Sequence, residues 1–228
     1  MFVYSLDGLE IDGDLAQDVE IEDNEITARA GVYQQLSRLF VAPDKDSWET
    51  AVAGQWPQRL REAAALLAFD FDFGVSALAP SVSFEDYQAE YLRLFETGGA
   101  DGNGPPVSLY GGSYGGSEES RRQTMEEVAR FFEYFGLKTS ADDPRPPDHI
   151  ATQLEFMQYL AFKEAASPSP RLGGSFHRAQ EDFLSRQLVG WVDRMAADIE
   201  AQDTQPIWIW AGQITATFLK ADLAHLQL

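Results

Sequence analysis

Asp148-His149-Ile150-Ala151-Thr152-Gln153-Leu154-Glu155-Phe156-Met157-Gln158-Tyr159-Leu160-Ala161 reads as the opening of a helix, and it decides the class of the fold. Ile150, Leu154, Met157 and Ala161 recur at spacings of three and four, which puts them on one helical face. A half-buried strand would instead alternate apolar and polar residues. Asp148 stands where an N-cap belongs, its carboxylate able to accept from the first free N–H groups. The connection before it carries Pro144, Pro146 and Pro147, which cannot extend a helix into this one.

The same period governs the chain on both sides. Met125, Val128, Phe131, Phe132 and Phe135 form the face of a helix capped by Ser117, with Glu118 and Glu119 at its positive end and Gly136-Leu137 as a Schellman stop. Before it, residues 97 to 117 hold 8 of the 18 glycines, a loop long enough to be either functional or disordered. Phe84, Tyr87, Tyr91, Leu94 and Phe95 make a stripe on a helix ending near Gly98. A helical region from Ser47 to Phe69 breaks at Gly54 and Pro57, and a first helix from Glu25 stops before Pro43. Downstream, a long helix is expected over Ser175 to Ala201 and a last one opening at Pro206. No stretch alternates as a strand should. Residues 1–24 are dense in Asp and Glu and read as an acidic arm, leaving residues 25–228 as an all-α, irregular single-domain bundle of about six to eight helices.

Composition narrows function further. The 228 residues carry 17 Lys and Arg against 37 Asp and Glu, a net charge of −20, which repels nucleic acid and anionic lipid and attracts basic segments. The acidity also fits a device for solubility alone. No apolar run reaches the roughly 18 residues that span a bilayer, and the N-terminus lacks an export signal, so membrane insertion is not expected and the cytoplasm is. With no cysteine and three histidines, neither disulfides nor a resident metal site is expected.

Several motifs could carry chemistry. Gly111-Gly112-Ser113-Tyr114-Gly115 fits the G-x-S-x-G elbow of serine hydrolases, but that elbow needs a sheet beneath it and no strands are legible. Asp148-His149 with Glu155 could form an acid–base group, although an imidazole at the positive end of a helix favours its neutral, hydrogen-bonding form. Arg121-Arg122 lies inside a helix and pairs with its acidic neighbours. Tyr91, Leu94 and Phe95 are each core residues by default, but together with Pro105-Pro106 and Tyr110 on the loop and the Pro-Pro-Asp-His junction they could build an apolar groove for a peptide helix.

These residues also resemble a known family. Glu90 to Phe95, Gly104-Pro105-Pro106-Val107-Ser108-Leu109-Tyr110-Gly111-Gly112, Met125 to Leu137 and Pro147-Asp148-His149-Ile150 running into Leu154-Glu155-Phe156-Met157 are similar to the TorD, DmsD and NarJ family of molybdoenzyme assembly chaperones. The loop and the junction look most like the branch serving type II enzymes of the dimethyl sulfoxide reductase family. The resemblance implies a non-enzymatic cytoplasmic chaperone, monomer or homodimer, whose partner is the catalytic subunit of a molybdoenzyme, gripped through its twin-arginine leader. The molybdopterin guanine dinucleotide would belong to that client, with no cofactor held stably by the chain. By the same resemblance Tyr91, Leu94, Phe95, Pro106, Asp148 and His149 are the client-binding residues, with Pro105, Ser108, Tyr110 and Glu155 beside them, and the glycine-rich loop is the movable wall of the groove. Val107 and Tyr91 stand where relatives have tryptophan, and Gln187 where a histidine is often found. A structural helical subunit of a larger complex is the rival reading, and a serine hydrolase using Ser113 a further one.

Overall fold

The computed structural model describes residues 9–11, 23–74, 79–97, 104–140 and 145–228. Its helices are α1 (Glu25–Arg38), α2 (Lys45–Val52), α3 (Trp56–Ala63), α4 (Phe84–Tyr91), α5 (Glu118–Tyr134), α6 (Ile150–Ala165), α7 (Pro170–Phe183), α8 (Val189–Glu200) and α9 (Pro206–Leu226). The fold is an all-α bundle, with nine α-helices among the described residues where six to eight were expected. The higher number has a local cause. The long helix expected over 175 to 201 begins earlier, at Pro170, and is divided into α7 and α8 by a π-helical turn at Leu184–Leu188.

Two short strands were not legible in the sequence. β1 (Leu9–Ile11) pairs antiparallel with β2 (Leu137–Thr139), Ile11 opposite Leu137 and Leu9 opposite Thr139. Three residues are too few to establish a period of two. The rest of the expected acidic arm, residues 1–8 and 12–22, lies outside the described residues, as do Pro144 and Gly98.

Several sequence signals act as read. Ser117 Oγ accepts from the Ser120 N–H at 3.1 Å and starts α5. Gly136 ends it at φ +70°, a backbone region a side chain would strain. Pro206 opens α9 at a position where its missing N–H costs no hydrogen bond.

The centre of the bundle is α6, whose residues from Ile150 to Ala161 are all buried. α1 lies along it, α7 packs on its other side, and α8 packs on α9. An aromatic cluster of Phe132, Phe156 and Phe183 closes the space between α5, α6 and α7, with Phe156 and Phe183 centroids 4.7 Å apart. On the other side Arg29 of α1 and Asp222 of α9 meet in a buried ion pair, Nε to Oδ1 at 2.5 Å and Nη2 to Oδ2 at 2.9 Å, with the Tyr33 hydroxyl donating to Oδ2. Glu164 of α6 stands 3.8 Å from Arg29 Nη1 and accepts from Gln180 of α7, so four helices share one buried polar network.

Candidate functional site

The junction before α6 differs from its expected form. His149, not Asp148, is the N-cap: its Nδ1 accepts from the Ala151 N–H at 3.1 Å. A ring nitrogen that accepts carries no proton, so a proton on the neutral ring sits on Nε2. Asp148 is displaced from the cap because its groups serve the glycine-rich loop. Its carbonyl accepts from the Gly111 N–H at 2.9 Å and from Gln153 Nε2 at 2.8 Å, and its Oδ2 accepts from the Gly112 N–H at 3.1 Å. Both residues are about 1% exposed.

The two glycines follow from how close the loop approaches the bundle. A Cβ on Gly111 would stand 2.9 Å from Trp191 Nε1, and one on Gly112 would stand 3.0 Å from the backbone of Arg121. Only a backbone without side chains can lie against α8 and α5 here while its N–H groups turn to Asp148. Over residues 108–114 the loop is hydrogen-bonded to the bundle and to itself. Ile150 N–H donates to Leu109 O at 2.8 Å, Tyr114 OH to Ser108 O at 2.9 Å, and Arg194 to Tyr114 O at 2.9 Å. Residues 98–103 of the same connection lie outside the described residues.

The structure brings Tyr110 and His149 together, as an isolated bridge with ring centroids 5.1 Å apart. Burial, then the nearby Glu96 and Asp148 carboxylates, raises the Tyr110 hydroxyl above its ordinary range and keeps it a donor. Ser108 is half-buried and its Oγ accepts from the Tyr110 N–H; Pro105 is half-buried and Pro106 exposed. Glu155 lies inside, 3% exposed, and pairs with Arg145 at 3.3 Å. Arg145 escaped the sequence reading because nothing near it in the chain announces an acidic partner ten residues on.

Tyr91, Leu94 and Phe95 are not the lining of an open groove. They are 2%, 0% and 1% exposed. Tyr91 donates to Phe40 O at 3.0 Å, and both rings pack on Trp208 of α9, with centroids 5.8 and 5.7 Å away. The helix holding them loosens into a π-helical turn at Leu92–Glu96, and Leu94 O accepts from the Val107 N–H at 3.1 Å. That bond joins the buried face to the loop.

Ser113 sits in a 3₁₀ turn, Gly111–Gly115, with its side chain exposed, and no strand leads into it. The elbow that would activate a serine is not formed. Arg121 packs against Gly112 and Arg122 pairs with Glu119, so the two arginines hold surface and loop. Among the described residues no group of three or more His, Asp or Glu is placed to hold a metal ion, and no helix is long and apolar enough to cross a membrane.

Asp148 carries a pH signature. Burial raises its carboxyl above the ordinary 3.8, against the Gly112 N–H and Arg121, which lower it. With a raised folded value, the stability it contributes is full below the unfolded pKa and is lost as pH climbs through the folded one. Asp148→Asn keeps an acceptor for Gly112 and removes the charge. The difference in urea midpoint between wild type and variant should therefore shift in favour of the variant as pH rises from about 4 to 7.

The chain matches the family model described as the nitrate reductase delta subunit over residues 51–197. It is 33% identical to the selenate reductase assembly chaperone protein of Thauera selenatis, over 78% of this chain and 79% of that one. The chlorate reductase assembly chaperone protein of Ideonella dechloratans is 32% identical over the same shares. Among solved structures, a chain described as a redox enzyme maturation protein from Archaeoglobus fulgidus is similar with a TM-score of 0.52 at 21% identity, over 90% of this chain and 99% of that one, a likeness of fold.

Proposed function

The chain belongs to the nitrate reductase delta subunit family, and from that premise we propose that it is an assembly chaperone for the catalytic subunit of a molybdenum oxidoreductase. The observation that carries this is likeness over most of the length, at 32–33% identity, to chaperones named for selenate and chlorate reductases. The matched span 51–197 contains both the glycine-rich loop and the Asp148-His149 junction. The chain works in the cytoplasm, performs no chemistry of its own, and leaves the molybdopterin guanine dinucleotide to its client.

Within this reading the client contact is the surface where the loop meets α6: Pro105, Pro106, Ser108 and Tyr110 outermost, with Asp148 and His149 fixing the backbone beneath. A twin-arginine leader suits it, because a chain of net charge −20 draws a basic segment from solution. Tyr91, Leu94 and Phe95 support this surface from below through the Val107 to Leu94 bond.

Gentle affinity purification of the full chain, from cells expressing a molybdoenzyme of this class, is expected to recover its catalytic subunit. Recovery of no such subunit would count against the reading. Labelling by a fluorophosphonate probe that is lost in Ser113→Ala would replace it with a hydrolase.

A further inference from the structure

Residues 108–114 of the glycine-rich loop are held against α8 by three stacked side chains. The Trp191 indole is itself locked, its Nε1 donating to Gln187 O at 2.7 Å. The edge of that indole meets Gly111, and its face takes the Tyr114 ring, with centroids 5.2 Å apart and planes 23° from parallel. Arg194 closes the stack, its guanidinium 5.2 Å over the Tyr114 ring. We propose that, on the chaperone reading of this chain, Trp191, Tyr114 and Arg194 act as a clamp that sets the loop in its client-contact shape, which makes Arg194 of α8 a positioning residue for that surface.

The hydrogen bonds of the stack go to the backbone of the loop. The Tyr114 hydroxyl donates to Ser108 O and Arg194 Nη1 to Tyr114 O, both at 2.9 Å, so one ring and one guanidinium grip the two ends of the segment. The middle is held from the α6 junction, where Asp148 accepts from the Gly111 and Gly112 N–H groups. Burial, then Asp198, raises the Tyr114 hydroxyl above its ordinary range and keeps its proton in place for Ser108. Between the two grips Leu109 turns inward, 0% exposed, while Ser108 and Tyr110 stay half-buried at the proposed contact. Packing alone does not call for such a stack, because its outer member is an exposed cation. A loop with glycines at its closest approaches has no side chains there to hold it, and the clamp supplies the hold from α8.

The test compares the full wild-type chain with Arg194→Ala, Arg194→Lys and Arg186→Ala, by amide hydrogen exchange and by capture of the catalytic subunit in affinity purification. Because Arg194 is exposed, Arg194→Ala should keep the wild-type melting temperature within about two degrees. Its Gly111 and Gly112 amides are expected to exchange about tenfold faster, with α6 amides from Leu154 onward unchanged, and its capture of the subunit to fall about tenfold. Arg194→Lys, which keeps a cation over the ring, should recover most of both losses. Arg186→Ala, which removes an exposed arginine from the π-helical turn before α8, should alter neither. Loop exchange indifferent to Arg194→Ala, or faster exchange with capture unchanged, would overturn the clamp, as would a lack of recovery in Arg194→Lys. A wild-type chain that captures no subunit would instead remove the chaperone reading, and the role of the clamp with it.

Discussion

Asp222→Ala is expected to lower the unfolding free energy by about 3–5 kcal/mol, read as a fall in urea midpoint with little change in slope. Asp222 is fully buried and Arg29 is 2% exposed, so the substitution leaves a guanidinium in the interior without its carboxylate. Burial works against the Arg29 charge, and the Asp222 carboxylate, assisted by its hydrogen bonds, more than offsets it, leaving the guanidinium pKa raised. The Tyr33 hydroxyl, raised by burial and then by Asp222, loses its acceptor in the same step. Glu164 at 3.8 Å recovers only part of this, being already engaged by Gln180 and His177. Removing both charges, as Arg29→Met with Asp222→Leu, should be far milder than either single change, because no unpaired charge remains. Strict additivity of the two single losses would show that the pair is not coupled.

Phe95→Ala is expected to cost about 3–5 kcal/mol of stability, and Leu94→Ala about 2–5. Both side chains are enclosed, and Phe95 meets Tyr91 and Trp208 at centroid distances of 5.2 and 5.7 Å. Pro106→Ala, on an exposed residue of the same candidate site, should leave the melting temperature within a degree or two. The comparison separates two causes of lost client capture. If capture by Phe95→Ala falls only as its folded fraction falls, the residue acts through the core. A fully folded Phe95→Ala that no longer captures client would return it to the contact surface.

These expectations depend on what the chain made legible. The helices could be read because Ile150, Leu154, Met157 and Ala161, or Val128, Phe132 and Phe135, repeat at a period that only one backbone satisfies, and because Ser117, Gly136 and Pro206 mark ends by local chemistry. The role of Asp148 was not legible. An aspartate before a helix caps by default, and only the approach of the Gly111-Gly112 backbone, with Gly112 36 residues away, diverts it. Burial of Tyr91, Leu94 and Phe95 was the default for such a stripe, but an apolar stripe looks the same whether Trp208 covers it or a client does, so the groove could not be told from the core. The Arg29 to Asp222 pair, 193 residues apart, has no local signature at all.

The side-by-side packing of α1 and α6 bears on how quickly the molecule forms. Helical bundles whose neighbours in space are neighbours in sequence close small loops and fold among the fastest of domains. Here the helix at the centre finds its most extensive partner across α2 to α5, more than a hundred residues of chain. That loop must close before the contact contributes anything, and its entropy is lost early. Refolding after dilution from denaturant should therefore be slower than the helix content alone suggests. In the interval α6, whose residues from Ile150 to Ala161 are buried all round in the finished bundle, has no cover.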